Sequence, residues 1–454
     1  MEARGMIWKM AILGGVSLLL SLVLARIGWL VEERQQRQQE AIESVEQAQA
    51  GAQVLLGPLL LRSCSEEWES VVTDENKERR ISTEKRDFMI SAVPERLQVA
   101  GALNQDARQR GLFKVNGYAG RLQFDAHWAS LQALEPPRAR QPGGRVQCGE
   151  LQAMLASSDA RGLRAATLKL GDRNLAVRPG TGHPAYARGL HASLPAQTLD
   201  LPLHLQLHLD LVGTQRFALV PAAGTTQLNL RSDWPHPSFG GRFLPSARET
   251  SDAGFSAQWQ VSELASGAPA DVLAHKMVAG LGGEGKELVD TVEFTMIDPV
   301  NPYVMSDRAI KYGLMFILLT FVCVGLVELL SGRRVHPVQY LLVGLALSVF
   351  FLLLLSLSEH LSFGLSYLLA AAAAVGLLAV YGAAMLGSWP HGLGFGAGIA
   401  GLYGALYTLL SLEQASLVIG ALMLFAVLAA VMVLTRRLDW YALGAAATAP
   451  TESR

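Results

Sequence analysis

Residues 337–358 read PVQYLLVGLALSVFFLLLLSLS and carry no formal charge. An α-helix needs about 20 apolar residues to cross the ~30 Å hydrocarbon core of a bilayer, and this stretch has that length. Four similar stretches share the C-terminal third of the chain, and another stands alone at residues 10–31. The sequence therefore predicts an integral membrane protein of six transmembrane α-helices, one N-terminal and five C-terminal.

The predicted spans are residues 10–31, 309–330, 337–358, 363–386, 392–412 and 415–435. They leave a short N-terminus at 1–9, a tail at 436–454 and a large domain at 32–306, which has about 275 residues and room for one or two lobes. A cleaved signal peptide is the alternative for the first span, because residues 23–25 form a passable cleavage site. Apolar character resumes at residues 27–31, with Trp29 placed as an interfacial anchor, and this favours a retained span.

Basic residues near the spans predict the orientation, because Lys and Arg in short loops are held on the cytoplasmic side. Three basic clusters alternate to the same side of the membrane: Arg4 with Lys9, Arg333 with Arg334, and Arg436 with Arg437. The short loops assigned to the other side contain Glu359 and Glu413 and no Lys or Arg. We therefore expect a cytoplasmic N-terminus and C-terminus, with the domain at 32–306 outside the cytoplasm.

The large domain begins with a helical pattern and continues with strands. Residues 32–53 are rich in Gln and Glu and space their apolar residues by three and four, which predicts a helix that continues out of the first span. Leucines then alternate with polar residues from Leu201 to Leu211, as in a half-buried strand. Similar shorter runs lie at Arg86–Ile90, Arg121–Trp128, Gln227–Arg231 and Phe255–Val261. We expect a large β-rich α+β domain built on antiparallel sheet.

Two short motifs are typical of enzymes but lack their completing residues. Gly280 to Lys286 fits the first seven positions of a phosphate-binding P-loop, yet Glu287 replaces the Ser or Thr that binds magnesium, so we expect a flexible loop. Ser82 to Lys85 fits the S-x-x-K of penicillin-interacting enzymes. The chain has no S-D-N or K-T-G to complete that site, and a solvated turn is the simpler interpretation.

Composition and histidine spacing exclude further classes. A net charge of −1 and a pI near 6.8 give no basic footprint, so we expect no nucleic-acid partner. His204 and His208 share a predicted strand face but start about 13 Å apart, which is too far to ligate one metal ion. No catalytic residue, metal site or cofactor is predicted.

Ionisable residues in or beside the spans are costly in lipid and are functional candidates by default. The candidates here are Arg26, Glu328, Glu359, His360 and Glu413. Arg26 and Glu328 fall at opposite ends of their spans and cannot pair. Arg26 could snorkel to the interface, or it could reach Glu359 or Glu413.

The fifth span carries six glycines, among them Gly394 and Gly398 in a G-x-x-x-G spacing that lets helices approach closely. We expect close helix packing there, and this span could also be the contact of a homo-oligomer. The uncharged segment Gly387–Gly392 is the best candidate for the turn that precedes it.

Cys64 and Cys148 both lie in the predicted outside domain, whereas Cys323 lies in the second span. In an oxidising compartment the first two could form one intrachain bridge. Two buried free thiols are the alternative.

Several segments without generic chemistry identify a family. They are WPHPSFGGRFLP at 234–245, GFSAQW at 254–259, DRAIKY at 307–312, HPVQYLLVG at 336–344, LSEH at 357–360 and LTRRLDWY at 434–441. In this order and spacing they resemble the CreD family of Gram-negative inner-membrane proteins, over nearly the whole chain. The resemblance implies a multi-pass inner-membrane protein with a periplasmic domain, produced under the CreB/CreC two-component system and linked to envelope integrity, envelope stress, colicin tolerance and responses to β-lactams. It implies no catalytic residue.

The segment 234–245 holds three prolines and three aromatic residues, so it cannot be a central strand. It could be a rigid packed loop with a buried His236, or a recognition loop that presents Trp234, His236 and Phe239 to an envelope ligand or protein. We expect the protein to act without catalysis, by binding an envelope component through its periplasmic domain. The alternative is a membrane-bound enzyme that acts on lipid or peptidoglycan at the periplasmic face.

Overall fold

The computed structural model describes residues 2–73, 79–197, 199–278, 280–281, 290–299, 301–331, 335–411 and 416–436. The chain divides into two compact units. A helical unit combines Met1–Gln38 with Val300–Arg454, and a β-rich unit comprises Gln39–Pro299. The prediction of a large β-rich domain between a first apolar helix and a C-terminal helical group is confirmed.

The helices are α1 (Glu2–Ala48), α2 (Ala268–Leu273), α3 (Pro302–Ser331), α4 (Pro337–Ser358), α5 (Phe363–Leu386), α6 (Trp389–Ser411) and α7 (Ser416–Thr435). By length and composition α1, α3, α4, α5 and α6 could each cross a membrane. The apolar stretch described for α7 is shorter, Val418–Val433. Five apolar helices and a shorter sixth therefore stand where six spans are predicted.

Local signals explain where the helices begin and end. His336 caps α4, because its side chain accepts the backbone N–H of Val338 while the side chain of Gln339 accepts that of His336. Helix α5 ends before Gly387, whose φ of 59° suits a glycine. Helix α6 begins at Trp389, so the turn expected over Gly387–Gly392 is shorter than predicted.

The junctions between the two units also differ from the predicted bounds. Helix α1 ends at Ala48, and Gln53 already belongs to the first strand, where its side chain accepts a hydrogen bond from Ser157. Helix α3 begins at Pro302, seven residues before the predicted span. The β-rich unit is therefore shorter at both ends than residues 32–306.

The strands are β1 (Gln53–Thr73), β2 (Arg79–Ala92), β3 (Arg96–Gln105), β4 (Arg108–Arg110), β5 (Phe113–Val115), β6 (Gly117–Trp128), β7 (Arg145–Cys148), β8 (Gln152–Ser157), β9 (Leu163–Leu170), β10 (Arg173–Leu175), β11 (Arg178–Pro179), β12 (Gly189–Ser193), β13 (Leu203–Thr214), β14 (Arg216–Val220), β15 (Thr225–Ser232), β16 (Pro237–Gly241), β17 (Ala247–Ser251), β18 (Gly254–Ser262) and β19 (Val292–Met296). Four of the five runs predicted as strands lie within strands of the structure, in β2, β6, β15 and β18, and the run Leu201–Leu211 joins β13 from Leu203 onward.

These strands form two large sheets. One follows the order β11-β12-β8-β1-β14-β19-β16, with β2 and β7 also paired to β1, and the other follows β10-β9-β13-β6-β3-β15-β18-β17. Strands β4 and β5 pair separately. The pairs β1–β14 and β3–β15 are parallel, and the other described pairs are antiparallel, so the predicted antiparallel framework is largely correct.

The main core lies between the two sheets. Side chains such as Phe217 and Phe294 of the first sheet and Phe124 and Leu207 of the second belong to one buried cluster. A second cluster lies on the other face of the first sheet, where α2 and Tyr186 cover it. The central strands of the first sheet are therefore buried on both faces, whereas the second sheet has one polar face.

Candidate functional site

Strand β1 changes partners along its length. Its first half lies between β14 and β8, and beyond Leu61 it lies between β2 and β7. A groove of about 540 Å³ lies at this change of partner, and Pro184 from the loop before β12 contributes to its wall. Small-molecule sites usually measure about 300–1,000 Å³, so the groove is large enough for a ligand.

The register of three neighbouring strands decides which side chains face the groove. Ser63 opposes Met89, and Ser65 opposes both Asp87 and Gln147. Side chains alternate between the faces of a strand and paired residues share a face, so these five residues lie on the same side. Residues that are distant in the sequence thus meet along one surface.

The chemistry of the groove is that of a polar binding surface. Within the described residues, the hydroxyls of Ser63 and Ser65 and the amide of Gln147 have no hydrogen-bond partner. Lys85 and Asp87 form an exposed ion pair of 3.5 Å at one rim, and the half-buried Met89 adds an apolar contact. The groove therefore offers uncharged donors and acceptors beside one pair of opposite charges.

Cys64 of β1 and Cys148 of β7 lie next to this groove. They oppose each other in register, with 4.0 Å between their Cα atoms and 1.95 Å between their sulfur atoms. The Cα separation is within the ~7 Å that a bridge can span. The disulfide itself stays a prediction that thiol counting can test.

A buried carboxylate holds the opposite face of the same strands. Glu66 is fully buried and accepts a hydrogen bond from the Arg86 guanidinium at 2.7 Å. It also accepts the backbone N–H groups of Gln141 at 2.8 Å and Arg140 at 2.5 Å. These backbone bonds, with the nearby arginines, hold the pKa of the Glu66 carboxyl below its usual range. The segment before β7 is thereby fixed to β1.

A turn centred on Pro184 forms part of the wall of the groove. The backbone N–H of Ala185 donates to Nδ1 of His183 at 3.1 Å, so the proton of this imidazole is on Nε2. Nε2 lies 2.8 Å from Nδ1 of His275, and the His183 ring stacks on Tyr186. Burial, and then the neighbouring His275, lower the pKa of His183 to about 4. His183 is therefore a neutral, 3 % exposed residue with both ring nitrogens in use.

Comparison with known proteins identifies the family. A family model described as "Inner membrane protein CreD" matches residues 5–441. The chain belongs to the CreD family. Inner membrane protein CreD of Escherichia coli (strain K12) is 33 % identical over 441 residues, which cover 96 % of this chain and 94 % of that protein. Together with the apolar helices, this membership identifies a multi-pass inner-membrane protein.

The predicted recognition loop of this CreD family member is partly buried. Trp234 is 6 % exposed, belongs to the main core and donates its indole N–H to the carbonyl of His236 at 2.8 Å. The burial of Trp234 agrees with the packed alternative for this part of the loop. Phe239 lies on the edge strand β16 and packs against Phe255 and Trp259, whereas His236 is exposed.

Two of the ionisable candidates of the helical unit, Glu328 and Glu359, form ion pairs with residues of α1. Lys9 of α1 pairs with Glu328 of α3, and the hydroxyl of Tyr340 donates to the same carboxylate at 3.0 Å. Farther along α1, Arg34 lies 3.4 Å from Glu359, at the end of α4. Sequence reasoning missed Arg34, which follows the predicted end of the first span by three residues.

The remaining candidates of the helical unit form no ion pairs within the described residues. Arg26 is exposed and unpaired there, which agrees with snorkelling rather than with a partner in Glu359. His360 is exposed, directly after α4 and Glu359. Glu413 lies outside the described residues.

The rejected motifs also have defined positions. Ser82 and Lys85 belong to strand β2 and not to a turn, and residues three apart on a strand face opposite sides. Residues 282–286 of the Gly-rich segment lie outside the described residues. His204 pairs with Asp125 at 2.5 Å on an exposed sheet face, and no cluster of three or more potential metal ligands occurs among the residues that the structure describes.

Sequence reasoning did not find the groove. Ser63, Ser65 and Gln147 are ordinary polar residues at strand positions, and only the neighbouring Cys64 and Cys148 marked the region. His183 and His275 are 92 positions apart, and neither stands in a motif.

Proposed function

We propose that this protein supports cell-envelope integrity and the envelope stress response by binding an envelope component in the groove beside Cys64 and Cys148. The β-rich unit is on the periplasmic side, and the action is binding without catalysis. The observation that carries the proposal is the set of unpaired polar side chains, Ser63, Ser65 and Gln147, on one face of the groove.

The same side chains favour binding over chemistry. A serine nucleophile needs a base within hydrogen-bond reach, and within the described residues neither Ser63 nor Ser65 has such a partner. Three neutral polar groups and one ion pair suit a ligand that is polar and has little net charge. The opposing face is held by Glu66, so the groove is rigid before the ligand arrives.

The proposed orientation rests on the basic clusters, and the ion pairs of the helical unit agree with the alternation of the spans. Lys9 and Glu328 are both expected at the cytoplasmic end, and they pair. Arg34 and Glu359 are both expected at the periplasmic end, and they also pair. These pairs support the prediction of which helix ends lie on the same side of the membrane. The positive-inside rule predicts which of the two sides is cytoplasmic.

Cysteine labelling tests the orientation. With the native cysteines replaced, Thr250→Cys on the exposed strand β17 should react with an impermeant thiol reagent in spheroplasts. His391→Cys at the start of α6, and Gly332→Cys, should react only after permeabilisation. Labelling of Gly332→Cys in intact spheroplasts would reverse the orientation.

Photocrosslinking in cells tests the binding. A benzophenone amino acid at Ser65 should give crosslinked products under envelope stress, and mass spectrometry would identify the captured component. The matched control is Gln98, an exposed residue on the polar face of the other sheet. Equal products at both positions, or none at Ser65, would argue against a ligand in the groove.

A filled groove should lose function without losing the fold. Gln147→Trp places a bulky side chain over the groove, so we expect normal protein level and loss of complementation of an envelope-stress phenotype. Gln98→Trp is the matched control and should complement. Complementation by both variants would show that function does not need an open groove.

We further propose that the protein forms homo-oligomers through α6. Gly394, Gly398 and Gly401 have no heavy atom within 4 Å of an added Cβ, so this face of α6 is open. Small residues let a second helix approach closely in lipid.

A further inference from the structure

Two hydrogen bonds of the His183 ring require that both histidines are neutral. Nδ1 of His183 accepts the N–H of Ala185, across Pro184, and Nε2–H donates to Nδ1 of His275. A proton on Nδ1 of His183 would remove the acceptor for Ala185. A proton on Nδ1 of His275 would instead place two N–H donors face to face at 2.8 Å. Either proton removes one of these two bonds of the His183 ring, while the turn keeps the bonds between Thr181 and Tyr186 and between the Tyr186 N–H and the His183 carbonyl.

The surroundings supply no described charge that would stabilise an imidazolium in this pair. Asp271 of α2, the acidic group beside Tyr186, is engaged by the Lys276 ammonium at 2.7 Å. The Tyr186 hydroxyl donates to the carbonyl of Lys276, and the Tyr186 ring covers His183. Burial therefore opposes the charge that a falling pH would add.

We propose that His183 and His275 form a pH-sensitive latch on the groove, which holds Pro184 in place near neutral pH and loosens as the pH falls toward 5. The inference rests on the proposed function, because it makes ligand binding in the groove depend on the pH of the compartment that the β-rich unit faces. It assigns to the histidines a positioning role, without ligand contact.

The direction of the effect follows from linkage. An unfolded histidine titrates near 6.5, whereas His183 in its folded site stays neutral to about 4. The latch is therefore fully stable above about pH 6.5 and weakens as the pH falls from 6.5 toward 4. At pH 5 the opened turn should be favoured about 10- to 30-fold over its level at pH 7.5.

Hydrogen exchange of the full-length protein in lipid nanodiscs tests the latch without any ligand. After correction for intrinsic rates, exchange of the Ala185 amide should accelerate about 10- to 30-fold between pH 7.5 and pH 5. Amides of β13 provide the internal reference and should not change. Equal protection of Ala185 at both pH values would overturn the proposal.

The variant His183→Asn with His275→Asn separates the latch from general acid sensitivity. An Asn oxygen can accept the Ala185 N–H as Nδ1 does, and Asn tolerates the positive φ of 55° at residue 275. We expect this double variant to protect Ala185 equally at both pH values. His191→Asn, a change at a neighbouring histidine, should keep the wild-type pH response. A double variant with the wild-type response would also overturn the proposal.

Crosslinking at Ser65, repeated at pH 7.5 and pH 5, tells the two proposals apart. A pH-dependent Ala185 amide without a captured component would retain the latch and reject the ligand. A captured component with a pH-independent amide would retain the ligand and reject the latch.

Discussion

The Lys9 ammonium near the start of α1 pairs with the Glu328 carboxylate near the end of α3, 319 positions later in the chain. Tyr340 of α4 donates to the second oxygen of the same carboxylate. One carboxylate thus joins three helices that come from both ends of the sequence. A charged group with two partners, partly shielded from solvent, should contribute measurably to the stability of the helical unit.

We expect Lys9→Gln to destabilise the protein by about 1–3 kcal/mol, because it leaves Glu328 without its charged partner. Thermal unfolding in detergent would measure the change. The matched control is Arg26→Gln, because Arg26 lies in the same helix but is exposed and makes no ion pair within the described residues, so its effect should stay within about 0.5 kcal/mol. Equal destabilisation by the two changes would show that the Lys9–Glu328 pair makes no specific contribution to stability.

Removal of the bridge between Cys64 and Cys148 should also destabilise the protein. The two positions close a loop of 84 residues, and replacing both by Ser should cost about 2–4 kcal/mol by freeing the unfolded chain. Mass spectrometry of the oxidised, denatured protein should find one free thiol, Cys323. Alkylation of all three cysteines without reductant would reject the bridge.

Trp234 and His236 should respond differently to truncation. Trp234→Ala leaves a cavity in the main core and should cost about 3–5 kcal/mol, with less folded protein in the membrane. His236→Ala removes an exposed side chain and should leave protein level and unfolding temperature nearly unchanged. If His236→Ala still abolishes complementation, the exposed part of the loop contacts a partner. Full complementation by His236→Ala at a normal protein level would show that the exposed part of the loop is not needed for function.

The open glycine face of α6 predicts a contact between two copies. With the native cysteines replaced, Ala397→Cys on the open face should form an oxidised dimer in membranes, whereas Val380→Cys on the exposed side of α5 should not. Adding Gly398→Leu should abolish the dimer at unchanged protein level, because the space around Gly398 is empty within one copy.

Gly396→Leu is the contrasting change for α6. Its Cβ would lie 2.7 Å from the Cβ of Ala379, so this variant should lower the amount of folded protein. A persistent dimer in Gly398→Leu would place the contact elsewhere.

Sequence patterns predicted two kinds of element. These are strands with one buried face, and apolar helices that are long enough to cross the bilayer. Strand β13 alternates leucine with polar residues because one face meets the core and the other meets solvent. Strand β1 was not predicted, because both faces of its first half are buried and Val54 to Leu61 reads as a continuous apolar run. The apolar helices were predicted because their length is dictated by the bilayer.

The candidate site depends on contacts that no local pattern records. Ser65 and Gln147 share the groove only because β7 pairs with the outer half of β1. His183 meets His275 through the packing of two loops. The sequence alone allowed the Trp234 indole either on the surface or in the core. In the structure it lies in the core, because an indole buries a large apolar area.

The parallel pairing of β1 with β14, together with the antiparallel pairing of β14 with β19, has a consequence for how this protein could be built. Gln53 at the entrance of the β-rich unit opposes Phe217, and Phe217 opposes Phe294 near the exit. Two strand spacings, about 10 Å, therefore separate the points where the chain enters and leaves. Neighbouring entry and exit points make a domain an exchangeable insert. The β-rich unit could be excised and a short linker could close the gap, so different members could carry different inserts on one helical scaffold.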